Sequence, residues 1–539
     1  MLLLILRLAR CDERVASVAT VGCLVAYASL VGSEASVTRA TFAAALFLLA
    51  RTFDHRTPAL NTLALSASCL VAVSPLTIID PGFLLTFGAT LGLLLGVEPL
   101  TQWVRSSLGP SLGIVRTMAM ALVAMLAATV CAELALFPIA ATVFSRVTVA
   151  GLILNFAAIP LMTVAQVTGM LAVAVSPLTE TGARMTGYVA HLAASGIVES
   201  ARLMDVLPWL SRRVPNPPVV IVATYYIGWA VWLSAPGRRG RRLASGTALL
   251  LAGGLVLCGP LPPLRPLCPG MPEAVRILFL DVDQADATLV NLPSGDSVLV
   301  DAGGTVRGAF DVGGRIVSPV LWHAGVRRLD YLVLTHGDPD HIGGAPSVIA
   351  DFEPREVWAG VPVPASQALR ALRTLVTEKG GAWRTIRAGD VLTWGGVSLR
   401  VVHPPPPDWE RQEVRNDDSV VLELRYNDVS IVLPGDIGEE VERSLAASFR
   451  PASFRVLKVP HHGSRTSSSE TLVTALRPNL AIVSAGRENP FGHPHPEVVQ
   501  RLTAAGADVW HTGEVGAVSV CTDGRAVRLE TAERRVVLY

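Results

Sequence analysis

Charge is distributed so unevenly along this 539-residue chain that its two halves must fold in different surroundings. Residues 1–270 contain 18 arginines, no lysine and only 10 acidic residues, whereas residues 271–539 contain 27 basic and 34 acidic residues. The first half is too apolar and too weakly charged for a water-soluble domain, which excludes a single soluble domain, a disordered chain and a fibrous protein. The sequence therefore predicts a membrane-embedded half followed by a polar half.

Apolar stretches long enough to cross a bilayer recur along the first half. A membrane helix needs about 20 mainly apolar residues, and on this basis we expect roughly eight to ten spans. Pro160 and Gly169 interrupt the longest stretch and favour a break there. The candidate segments are 15–33, 36–52, 59–78, 83–98, 117–139, 148–175, 183–206, 217–235 and 243–261.

The orientation follows from the arginines between the last two candidate spans. Arg238, Arg239, Arg241 and Arg242 share one short loop, which the positive-inside rule places in the cytoplasm. If residues 243–261 form a single span, everything after them lies on the outer side. We therefore predict a multi-pass protein of the inner (plasma) membrane with an outer polar domain.

A proline-rich stretch marks the domain boundary, because proline at this density cannot continue a helix. The predicted organisation is a transmembrane domain over 1–262, a linker over 263–274 and a polar domain over 275–539. Cysteines inside apolar runs are interpreted as small buried hydrophobes. Cys258 and Cys268, which flank the entry to the polar half, could pair in an oxidising compartment.

In the polar half, short β-branched runs alternate with turns and amphipathic helices. This order fits two sheets between helices, an α/β four-layer αββα sandwich. The predicted strands are 276–282, 287–292, 297–302, 331–335, 397–402, 419–426, 429–435, 455–460 and 480–485.

Potential metal ligands follow several of these strands. The stretch LTHGDPDHIGG brings four of them within six positions, directly after the strand that ends at Thr335. Imidazoles and carboxylates are the ligands that hydrolytic metal sites require, and strand ends can gather them in one place. The candidate residues are His336, Asp338, Asp340, His341, Asp436, His461, His462, His493 and His495.

The motifs HxDxDH-x-GG, GD, HHGS and GHP resemble the metallo-β-lactamase fold. Together with FLDVDQADA (279–287) and LVDAGG (299–304), they resemble the outer domain of the ComEC family of competence DNA-uptake channels. Apolar segments such as SVTRATFAAALFLLA resemble the membrane domain of the same family. The resemblance implies a channel for single-stranded DNA in natural transformation, with an outer metal-dependent nuclease domain.

The resemblance also implies a role for individual residues. His336 and Asp338 would hold one metal ion, Asp340, His341 and His461 a second, and Asp436 would bridge both. His462 and His493 would face the scissile phosphate, so that the catalytic set is Asp340, His462 and His493. Asp301 would support the ligand loop from behind.

The chain departs from the family pattern at three places. Asp283 and Ala285 stand where the family usually has the two glycines of G-Q-G-D-A. A histidine that lactamases carry before the bridging aspartate is missing, or is replaced by Asn416 or Asp417. The resemblance also implies that this chain begins after the additional N-terminal soluble domain of the family.

The implied cofactors are two divalent metal ions. Asp338 stands where many lactamases have histidine, and this oxygen donor favours Mn²⁺ over Zn²⁺. The expected partners are single-stranded DNA, the lipid bilayer, a DNA receptor and a second copy of the chain. A separate ATP-driven motor is also expected, because the sequence contains no GxxxxGK[ST] motif.

Two alternatives remain open at this stage. The chain could be a membrane-anchored hydrolase of another phosphodiester, for example on a lipid or a wall polymer. It could also be a channel with a catalytically inactive lid of hydrolase fold.

Overall fold

The computed structural model describes residues 6, 11–31, 35–52, 58–107, 113–234, 239–258, 268–271, 273–305, 310–406, 410–532 and 534–538. The chain divides into two units, Met1–Gly259 and Pro260–Tyr539. Half of the predicted linker 263–274 lies outside the described residues, and its boundaries stay a prediction.

The first unit is helical. Its described helices run in chain order as α1 to α10, with the short α8 near the end: Glu13–Leu30, Ala35–Thr52, Ala59–Val73, Pro81–Ser107, Gly113–Phe144, Gly151–Val175, Glu180–Ala201, Leu203–Val206, Val219–Ser234 and Arg239–Cys258. Large apolar side chains such as Val173 (75% exposed) and Leu250 (80% exposed) cover its outside. Such a surface is unfavourable in water and suits a lipid environment.

Among the described residues, four helices are long and apolar enough to cross a membrane: Glu13–Leu30, Pro81–Ser106, Arg116–Phe144 and Gly151–Val175. Shorter apolar helices cover Val37–Ala50, Ala59–Val73 and Val219–Ser234. The larger number of predicted spans stays a prediction. The expected break at Pro160 is wrong, since this proline lies inside one continuous helix, α6. Proline removes only a single N–H donor, and the apolar residues on both sides favour a helix.

Polar contacts tie the helices of this unit together. The hydroxyls of Tyr225 and Tyr226 on α9 donate to the backbone carbonyls of Leu134 and Ala135 on α5, at 2.9 and 2.8 Å. A two-stranded antiparallel ribbon, β1 (Arg146–Thr148) with β2 (Ser211–Arg213), follows α5 and precedes α9. These contacts pair some of the polar groups of the sequence-predicted membrane domain within the protein, which an apolar solvent favours.

The second unit contains two sheets. In the nine-stranded sheet the order is β18-β17-β16-β3-β4-β5-β6-β7-β8, and β5 to β8 run parallel. Its strands, in chain order from β3 to β8 and then β16 to β18, are Val275–Phe279, Thr288–Asn291, Ser297–Val300, Tyr331–Leu334, Glu356–Ala359, Ala382–Thr385, Val518–Thr522, Val527–Glu530 and Arg535–Val537.

The seven-stranded sheet has the order β15-β14-β13-β12-β11-β10-β9, and β12 to β15 run parallel. From β9 to β15 its strands are Val391–Trp394, Val397–His403, Val421–Tyr426, Val429–Leu433, Phe454–Lys458, Leu480–Val483 and Asp508–His511. The described helices of this unit, α11 to α18, are Ser318–His323, Pro339–Ile342, Ala345–Phe352, Gln367–Glu378, Glu439–Leu445, Glu470–Leu476, Pro496–Ala504 and Thr512–Val515.

Alternation along the strands builds a four-layer core. Ile277 and Phe279 of β3 belong to the apolar cluster between the two sheets, together with Ile431 of β12. The intervening Leu278 belongs to a second cluster, formed with helices α11, α13 and α14. A third cluster joins the other sheet to α16 and α17. The predicted αββα sandwich is therefore confirmed.

A disulfide joins the beginning of the second unit to a strand near its end. Cys268 pairs with Cys521 of β16, and not with Cys258 as considered from the sequence. The two residues are separated by 253 positions, so that sequence proximity gave no indication of the pairing. The bond closes a long loop, and this restricts the unfolded chain.

We predict that Phe279→Ala destabilises the sandwich by about 3–5 kcal/mol, because the ring is fully buried between the sheets and its loss leaves a cavity. Hydrogen exchange of the β3 amides in the full-length, detergent-solubilised protein would measure the change. Val391→Ala, at a position 54% exposed, is the matched control and should change the opening free energy by well under 1 kcal/mol. Equal effects of the two substitutions would contradict the packing described.

Candidate metal centre

The ligand loop begins where β6 ends. Pro339 occupies the first turn of the short helix α12, where a missing N–H costs nothing. Gly344 passes so close to the neighbouring loop that an added Cβ would lie 2.1 Å from the carbonyl oxygen of Ala302. Proline and glycine therefore fix the path of the loop that carries His336, Asp340 and His341.

Asp301 anchors this loop from the end of the adjacent parallel strand, β5. Its carboxylate accepts hydrogen bonds from the backbone N–H and the hydroxyl of Thr335, at 2.8 and 2.7 Å. The same carboxylate lies 2.7 Å from Nδ1 of His341. The ring is thereby oriented with Nε2 facing away from Asp301, in the supporting role that the family resemblance implied.

Four residues from three strand ends bring polar atoms together in the interior. Nε2 of His341 lies 3.3 Å from Oδ2 of Asp436, and Nε2 of His462 lies 3.5 Å from the same oxygen. Nε2 of His462 is also 3.4 Å from Oδ2 of Asp340. His341, Asp436 and His462 are buried, with at most 2% of each residue exposed.

Several of these buried atoms lack a hydrogen-bond partner within the part of the chain that the structure describes. They are Nε2 of His336, His341 and His462, and Oδ1 of Asp436. Unpaired buried polar atoms are costly, and so their convergence indicates a ligand that is not protein. Neutral imidazoles and carboxylates are suitable donors for a divalent metal ion, so that the residues present fit such an ion.

The two consecutive histidines point in different directions. His461 and His462 both have left-handed backbone torsions, with φ of 48° and 54°. His462 turns inward, where its Nδ1 lies 2.8 Å from the carbonyl oxygen of Ser484. His461 stays partly exposed, with Nε2 3.9 Å from Oδ2 of Asp436. The sequence-based roles had His462 facing the scissile phosphate, whereas its Nε2 lies 3.4 Å from Oδ2 of Asp340. The ligand assignment stays a prediction.

The remaining sequence candidates lie around this core. Nε2 of His336 is 3.4 Å from Oδ2 of Asp338, and the rings of His336 and His341 are 4.1 Å apart. The ring centroid of His493 is 6.0 Å from that of His461. His495 does not join the cluster, because its Nε2 lies 2.6 Å from Nη2 of Arg465.

The structure also distinguishes the two candidates for the missing third-motif histidine. Nδ2 of Asn416 lies 3.3 Å from Nε2 of His461, at the edge of the cluster. Asp417 instead accepts a hydrogen bond from the backbone N–H of Gly438, at 2.8 Å. Asn416 is therefore the one of the two that borders the candidate metal centre.

Asp286 and Lys458 were not predicted as part of the site. Asp286 lies with His341, Asp436 and His462 in a group whose potential ligand atoms all fall within 4.8 Å of one another. However, Oδ2 of Asp286 is paired with the Lys458 ammonium. This pairing distinguishes Asp286 from the other three residues of the group. A lysine inside the apolar strand RVLKVP was the available sequence signal.

Buried carboxylates favour the protonated, charged form of the two inward-facing imidazoles. Burial opposes a charge on His341, but the carboxylates of Asp436 and Asp301 outweigh it and raise the pKa of the ring well above its usual value. Against the same penalty, Asp436 and Asp286 raise the pKa of His462 to about 10. In turn, His341 and His462 hold the pKa of Asp436 well below its usual range despite burial.

His493 has the opposite character. Burial and the nearby imidazoles of His461 and His462 lower its pKa to about 4. The ring is therefore uncharged near neutral pH. Its N–H and lone pair suit hydrogen bonding to a bound group better than permanent charge pairing.

A groove opens beside the cluster, with a volume of about 640 Å³. Asp436 and His461 contribute one wall, and Arg415, Arg465 and Thr466 contribute others. Asp417 and Glu439 also line the groove, so that its two arginines lie among acidic residues. Guanidinium groups bind phosphates through paired hydrogen bonds.

Two family models match the chain in succession. The competence-protein model covers residues 1–239, and the metallo-β-lactamase superfamily model covers residues 280–487. ComE operon protein 3 of Bacillus subtilis (strain 168) is 26% identical over 504 residues, which is 91% of this chain and 62% of the relative. The chain therefore combines a competence-protein region with a metallo-β-lactamase superfamily region. The resemblance and the fold class predicted from the sequence are thereby confirmed.

Other similarities are more partial. Competence protein ComA of Neisseria gonorrhoeae is 29% identical over 340 residues, which is 59% of this chain and 45% of the relative. The chain thus spans less than two thirds of the length of these relatives. The metallo-β-lactamase fold protein YhfI from Bacillus subtilis aligns with 46% of this chain and 99% of its own, at 9% identity and a TM-score of 0.31.

We predict that metal binding displaces the protons of His341 and His462, because both nitrogen donors must be deprotonated to bind a metal ion. Since their pKa values are raised, and that of His462 is about 10, the apparent affinity for Mn²⁺ should increase with pH throughout the range 6 to 8. About two protons should be released per site, measurable by calorimetry in buffers with different ionisation enthalpies. His462→Gln should release about one proton fewer. An affinity independent of pH would contradict this prediction.

Proposed function

We propose that the second unit is a metal-dependent nuclease that acts on DNA at the outer face of the membrane. In this proposal the first unit carries a single strand through the membrane. The observation that supports it best is the convergence of ligand atoms from His341, His462 and Asp436, each of which has a buried atom without a hydrogen-bond partner among the described residues. These atoms lie next to a groove with two arginines.

The proposed roles combine the family resemblance with the distances within the cluster. His336 and Asp338 would hold one metal ion, Asp340, His341 and His462 the other, and Asp436 both. When bound, divalent ions lower the pKa of water and stabilise negative charge on a phosphate. Compared with the sequence-based roles, His462 replaces His461 as a ligand of the second ion, and His461 takes the position beside the scissile phosphate.

The chain's own residues would bind and orient the substrate. Arg415 and Arg465 would hold phosphate groups in the groove, and Thr466 would donate a hydrogen bond there. His461 and His493 would border the scissile group, with the uncharged ring of His493 as a hydrogen-bond partner. Residues 271–539 carry a net charge of −7, so that these local guanidinium groups matter for an anionic substrate.

We propose Mn²⁺ as the favoured ion. Carboxylates of Asp338, Asp340 and Asp436 supply oxygen donors, and Asn416 borders the site where lactamases carry a further histidine. This donor set is harder than one rich in imidazole or thiolate, which favours Mn²⁺ over Zn²⁺.

Two independent features support an outer position for the second unit. The Cys268–Cys521 disulfide is typical of oxidising compartments. Helix α10 begins among Arg239, Arg241 and Arg242, which favours the cytoplasm for that end. If α10 crosses the bilayer, the chain after Cys258 continues on the opposite side.

Uptake of single-stranded DNA is proposed from the competence family and the named relatives. A DNA receptor, a second copy of the chain and a separate ATP-driven motor complete the proposal. The motor is included because the sequence has no phosphate-binding GxxxxGK[ST] motif. A hydrolase of another phosphodiester and an inactive lid are the outcomes that the experiment below must distinguish.

We predict that the full-length protein, purified in detergent and loaded with Mn²⁺, cuts labelled single-stranded DNA. Asp340→Ala and His462→Ala should each lower the rate by at least about 100-fold, because each removes a proposed ligand. The matched control is His323→Ala, an exposed histidine on α11, which should retain the wild-type rate.

Cutting by all of these proteins, or by none, would remove the nuclease proposal. Hydrolysis of bis(p-nitrophenyl) phosphate without cutting of DNA would favour another phosphodiester. Transformation that is lost on deletion but retained in the Asp340→Ala strain would favour an inactive lid.

The outer position is testable through the disulfide. In a variant whose cysteines at 11, 23, 69, 131 and 258 are serine, Cys268 and Cys521 should resist maleimide labelling on intact cells. A membrane-impermeant phosphine should make both reactive, because an outer disulfide is accessible to it. Labelling that requires cell lysis, or thiols that are reactive without reductant, would place the domain inside or exclude the bond.

A further inference from the structure

Lys458 is a lysine buried directly behind the candidate metal centre. It is the last residue of β13, is 3% exposed, and its ammonium pairs with Asp286. Burial lowers the tendency of such a group to stay charged, but Asp286 and Asp436 outweigh this effect and raise the pKa of Lys458. The Lys458 ammonium and the Asp286 carboxylate therefore form a buried ion pair beside the candidate ligands.

Asp286 in turn stands behind both inward-facing imidazoles. Its carboxylate oxygens lie 3.8 Å from Nδ1 of His341 and 3.7 Å from Nδ1 of His462. Its backbone N–H donates to the carbonyl oxygen of Asp340, at 3.2 Å, which ties it to the ligand loop. A small movement of Asp286 would consequently disturb both rings and the loop.

Each of these Nδ1 atoms already has another partner. Asp301 holds Nδ1 of His341, and the Ser484 carbonyl oxygen holds Nδ1 of His462. Oδ1 of Asp286 has no hydrogen-bond partner among the described residues. An unneutralised Asp286 would therefore compete with Ser484 and Asp301 for the rings, or would itself bind a metal ion.

We propose that Lys458 is a positioning residue, a fixed internal cation that keeps Asp286 out of the ligand set and holds His341 and His462 in their ligand orientation. This inference rests on the proposed metal centre but not on DNA as the substrate. The ammonium supplies to Asp286 the positive charge that a further metal ion would otherwise bring.

The test is a double-mutant cycle on metal-stripped, full-length protein in detergent. Mn²⁺ affinity and stoichiometry are measured by competition with a fluorescent chelator and by electron paramagnetic resonance. Lys458→Met should weaken Mn²⁺ binding by about tenfold or more, as losses of supporting partners do at metal sites. Asp286→Asn/Lys458→Met, in which neither member is charged, should restore the affinity to within about threefold.

A buried ion pair remote from the site provides the matched control. Nη2 of Arg400 lies 2.7 Å from Oε2 of the buried Glu423. Arg400→Met should lower the thermal stability without changing the Mn²⁺ affinity. If Lys458→Met does not fold, Lys458→Gln replaces it, because glutamine keeps a hydrogen-bond donor for Asp286 but carries no charge.

The outcomes separate this inference from the proposed function. Wild-type affinity in the folded single variant, or a double variant no better than the single one, would overturn the role of Lys458. Absence of Mn²⁺ binding by the wild type would overturn both. Binding of Mn²⁺ without cutting of DNA would reject the nuclease alone and leave the cycle interpretable.

Discussion

The carboxylate of Asp301 is the contact on which the geometry of the site depends. It accepts hydrogen bonds from Thr335 while it fixes Nδ1 of His341, and thereby joins the ends of two parallel strands to the ligand loop. Asp301 itself has a φ of 59°, a left-handed conformation that turns its side chain back toward the strand ends. Without this contact His341 would lose the carboxylate that orients its ring, and its Nε2 would no longer be held toward Asp436.

The sandwich was predictable because its strands alternate and its ligand motifs follow strand ends. The individual roles of His461 and His462 were not, because both residues adopt left-handed torsions and the sequence does not show which ring turns inward. Asp286 and Lys458 were missed for a related reason. The two residues form a pair across 172 positions of the chain. The sequence alone shows a lysine in an apolar strand but does not show which carboxylate neutralises it.

In the membrane half, composition predicted the solvent but not the course of each helix. Pro160 seemed to interrupt a span, yet Asn155 of the same helix donates to the hydroxyl of Thr129 on α5, at 3.1 Å. Contacts between helices of this kind can compensate for a single lost backbone hydrogen bond. Hydropathy cannot anticipate them, because it does not specify which helices are neighbours.

The disulfide between Cys268 and Cys521 also affects how the second unit resists a pulling force. β3 and β16 are adjacent antiparallel strands, and the link ties the chain just before β3 to the far part of β16. A pulling force applied to the backbone before Cys268 would act on the disulfide before it could separate β3 from β16. The first strand of the second unit would thus stay paired with β16 under a pulling force.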